Sequence, residues 1–98
     1  MRLTQQQTDC IRNALHRHFG LKAEVWLFGS RVDDRARGGD IDLLILPETD
    51  TEAPFDRKVR FLVELEQTLG ERRIDVVIEH PEDPRPIVSI AHQRGVKL

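Results

Sequence analysis

Tyrosine is absent from the 98 residues, and there are only one cysteine, one tryptophan and four phenylalanines. Without tyrosine, no phenolic hydroxyl of the chain's own can act as nucleophile, acceptor or modification site. A single cysteine, Cys10, excludes an intramolecular disulfide. It falls on the apolar stripe of an expected helix, where a small packed side chain is the better reading than a nucleophile. No apolar run approaches the ~20 residues that span a bilayer, so no membrane association is expected. The opening residues, Met1 to Gln7, hold no signal-peptide core, and a cytoplasmic location is the expectation. An excess of one charge is also missing: 15 Lys and Arg stand against 17 Asp and Glu, a formal net charge of -2. Domains that grip a nucleic-acid backbone are usually strongly basic, so no stable nucleic-acid binding is expected. Repeats and low-complexity tracts are absent as well.

What is present is a soluble-type composition, 39% hydrophobic and 33% charged. The length suits a single domain, residues 1–98, with a thin core. Thr4 to Phe19 reads as a helix, with Leu3, Cys10, Ile11, Ala14, Leu15, His18 and Phe19 at helical spacing. Thr4 with Gln7 fits a capping box, and Gly20 fits the stop. Glu24 to Phe28 reads as a strand ending at Gly29-Ser30. Arg31 to Gly39 is a charged segment. Ile41 to Leu46 is an almost unbroken apolar run stopped by Pro47, the pattern of a strand covered on both faces. Pro54 to Leu69 reads as a helix ending at Gly70, with Phe55, Val59, Leu62, Val63, Leu65 and Leu69 largely on one side. Arg73 to Glu79 gives a third strand, centred on Ile74 to Ile78. Asp83 is placed as the cap of a last short helix, with Pro84 in its first turn and Gly95 at its end. The order of elements predicts an α/β (α+β) fold, a small mixed β-sheet of at least three strands packed with helices.

Three aspartates interrupt strands that are otherwise apolar. Asp40 and Asp42 stand at i and i+2, so both side chains leave the same strand face. Two carboxylates so spaced, roughly 6–7 Å between Cα atoms, can converge on a pair of divalent cations. Asp75 interrupts the third strand, where a neighbouring position would bring it beside the pair. Crowded carboxylates repel one another, and burial raises the cost further. No Lys or Arg lies inside these strands to offset it, so a bound cation is the simplest remedy. All-oxygen ligands point to Mg²⁺ or Mn²⁺. Taken singly, Asp40 equally suits a turn, and Asp75 suits the solvent face of an edge strand. Asp42, between Ile41 and Leu43, is harder to assign to structure alone. Gly29-Ser30, directly after a strand, could let a phosphate approach exposed amides and a hydroxyl, although a plain turn has the same appearance.

Together, Leu27-Phe28-Gly29-Ser30-Arg31, an eight-residue spacer and Asp40-Ile41-Asp42-Leu43-Leu44-Ile45 resemble the polymerase-β-like nucleotidyltransferase superfamily. Within it the chain resembles the minimal nucleotidyltransferases, which are about this long. The resemblance implies the nucleotidyltransferase fold and an enzyme dependent on two Mg²⁺ ions. It implies that Gly29 and Ser30 hold phosphates of the nucleotide, with Arg31 beside them. It further implies that Asp40, Asp42 and Asp75 are catalytic and bind the metals, Asp75 on the nucleophile side. Relatives often carry Ala-Arg-Gly directly after Gly-Ser-Arg. Here Val32-Asp33-Asp34 intervenes and Ala36-Arg37-Gly38 follows, which leaves the roles of Arg35 and Arg37 open.

The resemblance also implies a partner. Such proteins are commonly paired with a helical HEPN-type toxin, so the expected function is an antitoxin that transfers AMP from ATP to a hydroxyl of that protein, a tyrosine in particular. Two rivals share the motif: a non-catalytic module that inhibits by contact, and a transferase acting on a small molecule such as an antibiotic. All three aspartates are present, which favours an enzyme, and 98 residues leave little material for a small-molecule pocket. His16, His18, His80 and His92 show no common metal spacing and read as surface or packing residues. Glu64 reads as a solvated helix charge, and Trp26 as a core residue. The end of the chain, Val96 to Leu98, can pack on the sheet or form a partner surface.

Overall fold

The computed structural model describes residues 3–29, 41–48, 53–70 and 73–98. Its elements are α1 (Gln5–Phe19), β1 (Glu24–Phe28), β2 (Ile41–Leu46), α2 (Pro54–Leu69), β3 (Ile74–Ile78), α3 (Pro86–Arg94) and β4 (Val96–Lys97). The start of α1 is fixed by reciprocal bonds. The Thr4 hydroxyl accepts from the Gln7 amide at 3.1 Å, and the Gln7 side chain accepts from the Thr4 amide at 2.9 Å. Two orphan donors of the first turn are satisfied in this way. Gly20 closes the helix, its amide bonded to the His16 carbonyl.

The four strands form one mixed sheet in the order β3-β2-β1-β4. β1 and β2 are antiparallel, from Phe28 opposite Asp42 to Glu24 opposite Leu46. β2 and β3 are parallel, with Ile41 beside Ile74 and Ile45 beside Ile78. Parallel neighbours need a long crossover, and α2 lies within it. The fourth strand goes beyond the three that the sequence pattern specified. It is two residues long, too short for periodicity to mark, and its pairing of Lys97 with Trp26 is decided by tertiary packing.

Alternation along the strands sorts the core into two layers. Val25, Leu27, Ile41, Leu43 and Ile45 point to α1 and α2, against Ile11, Ala14, Leu15, Phe19, Phe61 and Leu65. Phe19 and Phe61 meet edge to face with ring centroids 5.7 Å apart, a favoured geometry for aromatic pairs. On the other face, Phe28 and Leu44 pack with Val88 and Ala91 of α3, and Trp26 lies half-buried at the rim. β2 is therefore covered on both faces, in agreement with its continuous apolar run.

Three sequence expectations are corrected. The apolar positions of α2 do not share one face. Phe61, Leu65 and Leu69 are buried, whereas Phe55, Val59 and Val63 are exposed. Phe61, at the centre of the buried face, was not in the expected set. Asp83 does not cap the last helix. That helix begins at Pro86, with Arg85 as its cap residue, and Asp83 instead binds Arg85 and accepts from the His80 amide at 3.1 Å. Glu64 is not a solvated charge. It pairs with Arg17 and with His18, at 3.1 Å from the latter, and so ties α2 to α1. These contacts, the Arg17 bond foremost, lower its pKa.

Candidate functional site

The two described aspartates of the expected triad stand side by side. Parallel register puts Asp42 of β2 directly beside Asp75 of β3. Register partners on adjacent strands share a face, with strand axes roughly 4.7–4.9 Å apart. Both carboxylates thus emerge on the face that α3 partly covers, at the entry of the parallel strands. The Ile41 amide, bonded to the Arg73 carbonyl at 2.9 Å, fixes that entry. Asp42 is half-buried and Asp75 exposed.

Antiparallel register puts Phe28 on the other side of Asp42, and the next residue, Gly29, leaves β1 with φ +79°. L side chains rarely adopt that conformation. A Cβ at Gly29 would also run into Oδ2 of Asp42. Gly29 is therefore required twice, by its own backbone and by the carboxylate pressed against it. This places the glycine of the Gly-Ser pair and the second aspartate of the Asp-x-Asp pair in contact, although 12 residues separate them in the chain.

Ser30, Arg31 and Asp40 lie outside the described residues, as do Arg35 and Arg37. Among the described residues no group of three His, Cys, Asp or Glu side chains converges as a metal site would. The described part of the expected site is Gly29 with the pair Asp42 and Asp75. Arg73 adds a feature that sequence reasoning missed. Its Nε lies 3.5 Å from Oδ2 of Asp75. The i, i+2 spacing of Arg73 and Asp75, two positions on one strand face, was the available signal.

A cleft of about 920 Å³ opens at the opposite end of β2 and β3, lined by Leu46, Ile78, Glu79, Asp83, Val88 and His92 among others. Leu46 stands four positions beyond Asp42, about 13 Å along a strand, so this cleft is distinct from the carboxylate pair. Two of its ionisable groups pair with each other, and a third is paired outside the lining. His92 Nε2 is 2.6 Å from Oε1 of Glu79, and its ring meets Trp26 edge to face. The Asp83 carboxyl is held far below the usual carboxylate range, first by its bonds from Arg85 and then by the His80 and Arg85 amides. The cleft thus has size and one ion pair between two of its own lining residues, Glu79 with His92. The two adjacent carboxylates are the arrangement suited to binding a cation.

A family model described as nucleotidyltransferase domain matches residues 9–98. No curated protein matches the sequence. The matched span runs from within α1 through β4 and contains every residue of the expected site. No helix among the described residues is long and apolar enough to cross a membrane.

Proposed function

Because the chain belongs to the nucleotidyltransferase domain family, we propose that it transfers AMP from ATP to a hydroxyl of a partner protein, a tyrosine in particular. In this reading it is the antitoxin of a helical HEPN-type toxin. The observation that carries the catalytic half is the junction of Gly29, Asp42 and Asp75 at one end of the sheet.

These residues fit a divalent cation. Two carboxylates in register on one face are mutually repulsive, and they offer the hard oxygen ligands that Mg²⁺ takes. Asp42 and Asp75 would hold it, with Asp40 as the third ligand that the family resemblance implies. A cation so bound supplies charge neutralisation at the reacting phosphate.

The chain's own residues do the rest by placement. Gly29 keeps the space above the Asp42 carboxylate free of side chain and lets a phosphate come close to backbone. Asp75, the more exposed carboxylate, faces an incoming acceptor and takes the proton of its hydroxyl. The acceptor oxygen bonds to the α-phosphorus, the bond from that phosphorus to the bridging oxygen breaks, and pyrophosphate leaves. Positioning and charge carry most of such a reaction.

The acceptor belongs to another molecule. The chain has no tyrosine, so tyrosine self-modification is impossible. A protein partner brings its own surface to the exposed Asp75, and a small domain needs no acceptor pocket of its own. The test is incubation of the chain with the protein encoded beside it and ATP labelled at the α-phosphate. Label is expected on the partner, dependent on Asp40 and Asp42, and lost when the partner's acceptor residue is replaced. Labelling of a small metabolite or antibiotic with none on the partner would overturn the protein-acceptor reading. Inhibition of the partner that survives Asp42→Asn would show that contact suffices.

A further inference from the structure

The exposed apolar residues of α2 form a stripe that no part of the chain covers among the described residues. Phe55, Val59 and Val63 stand at i, i+4 and i+8 and are 74%, 42% and 49% exposed. Successive members of such a series are neighbours on a helix surface, so the three make one continuous ridge about two turns long. A second strip, Phe61, Leu65 and Leu69, lies about 120° away around the helix and is buried in the core. The side toward α1 is occupied by Arg57, which donates to the His18 carbonyl at 2.9 Å, and by Glu64.

Asp56 and Arg60 lie between the ridge and the α1 side, one helical turn apart. Both are exposed. Neither side chain makes an ion pair or hydrogen bond among the described residues. An acid and a base on the same flank of an apolar ridge are self-complementary in one arrangement. When two such helices pack antiparallel about a twofold axis, like flanks face each other. Each acid then meets the other copy's base.

We propose that this face binds a second copy of the chain, α2 against α2, antiparallel about a twofold axis near Val59. Val59 packs on its own counterpart, and Phe55 of each copy packs on Val63 of the other. Asp56 and Arg60 of one copy meet Arg60 and Asp56 of the other, within reach of an arginine side chain. Such an interface is isologous, and one patch serves both copies. The apolar ridge supplies the burial, while the two reciprocal ion pairs fix the register more than the affinity. The carboxylate pair lies on the other face of the sheet from α2, so pairing leaves it open.

The test is the mass of the chain in solution by sedimentation or light scattering, at about 100 µM, a range in which weak association registers. Twice the chain mass of 11.4 kDa is expected for the wild type. Val59→Asp is expected to restore the single mass with an unchanged far-UV spectrum, because Val59 is exposed in the single chain. Asp56→Arg puts four cations along the shared flank and is expected to weaken association about tenfold or more. The double swap Asp56→Arg with Arg60→Asp restores the reciprocal pairs and is expected to return the dimer. A wild type that stays monomeric overturns the proposal, and so does a dimer indifferent to Val59→Asp. A monomer that binds a different protein through Val59 assigns the ridge to that partner and also overturns it. A double swap no better than Asp56→Arg would remove the antiparallel register.

Discussion

The two faces of β2 are built to different rules. Toward α1 and α2, Ile41, Leu43 and Ile45 are all completely buried. Toward α3 the same strand presents Asp42, Leu44 and Leu46, an acid, a buried leucine and a half-buried one. The first face is given over to cohesion along its whole length. The second is cohesive only in the middle, where α3 packs on Leu44, and gives its entry to charge. A strand alternates faces residue by residue, so one six-residue segment holds the centre of the core and the candidate site together. The largest expected effect tests the cohesive face. Leu43→Ala should destabilise by about 2–5 kcal/mol, the usual range for leucine truncation in a packed core. Denaturant unfolding measures it, and a cost below about 1 kcal/mol would mean that this face is less essential than its burial indicates.

At the junction of the two rules stands Gly29. Gly29→Ala should cost about 1–3 kcal/mol, from the left-handed backbone and from the contact with Asp42. Nucleotide affinity should fall with it, since the displaced carboxylate no longer stands in register with Asp75. Calorimetric nucleotide titration beside a thermal melt checks both. An alanine variant with full affinity would separate the glycine from the site.

Much of this contrast was legible in the sequence, because it depends on period and exception. Ile41 to Leu46 announces a strand covered on both sides, and Asp42 is the exception inside it. β1, β2 and α2 have the bounds that their patterns give, and β3 is one residue shorter at each end than Arg73 to Glu79. The placement of Asp75 beside Asp42 needed a register, which no single strand contains. What was not legible has physical reasons. Phe55, Val59 and Val63 have the same period as Phe61, Leu65 and Leu69 and lie about 120° from them around the helix, so the pattern marks two apolar strips and only packing decides which of them the core covers. Asp83 followed by two prolines has the residue type of a helix cap, yet its carboxylate finds a charged partner in Arg85. The pairing of β4 and the meeting of Arg17 with Glu64 are long-range contacts with no local period at all.

The far end of the sheet offers a milder test, by pH. The folded pKa of Asp83 is depressed, so the stability it contributes is full above the ordinary carboxylate pKa and is lost as pH falls through the folded value. The Asp83–Arg85 contact should therefore survive at pH ~4, where ordinary aspartates are half-protonated. Carboxyl carbon shifts followed by NMR should show Asp83 flat across that range. A midpoint near the ordinary value would mean that the Arg85 contact does not order the approach to α3 in solution.

The smallest expected change in stability carries the sharpest contrast. Asp42 is the immediate neighbour of Leu43 and points to the other face. Asp42→Asn keeps shape and volume, and it removes one of two negative charges in register on adjacent strands. Relief of repulsion with Asp75 favours the variant, while loss of the contacts that Asp42 makes opposes it. The two should nearly cancel, leaving the fold within about 1 kcal/mol of wild type. Function should respond in the opposite proportion, because an amide is a poorer ligand for a hard cation than a carboxylate. Addition of Mg²⁺ and ATP should raise the melting temperature of the wild type by mass action, and that rise should vanish in the variant together with transfer to the partner. A variant that keeps the ligand-dependent rise would exclude Asp42 from the metal site. A variant that fails to fold would show that this face, too, uses its charge for cohesion, and the division between the two faces of β2 would be lost.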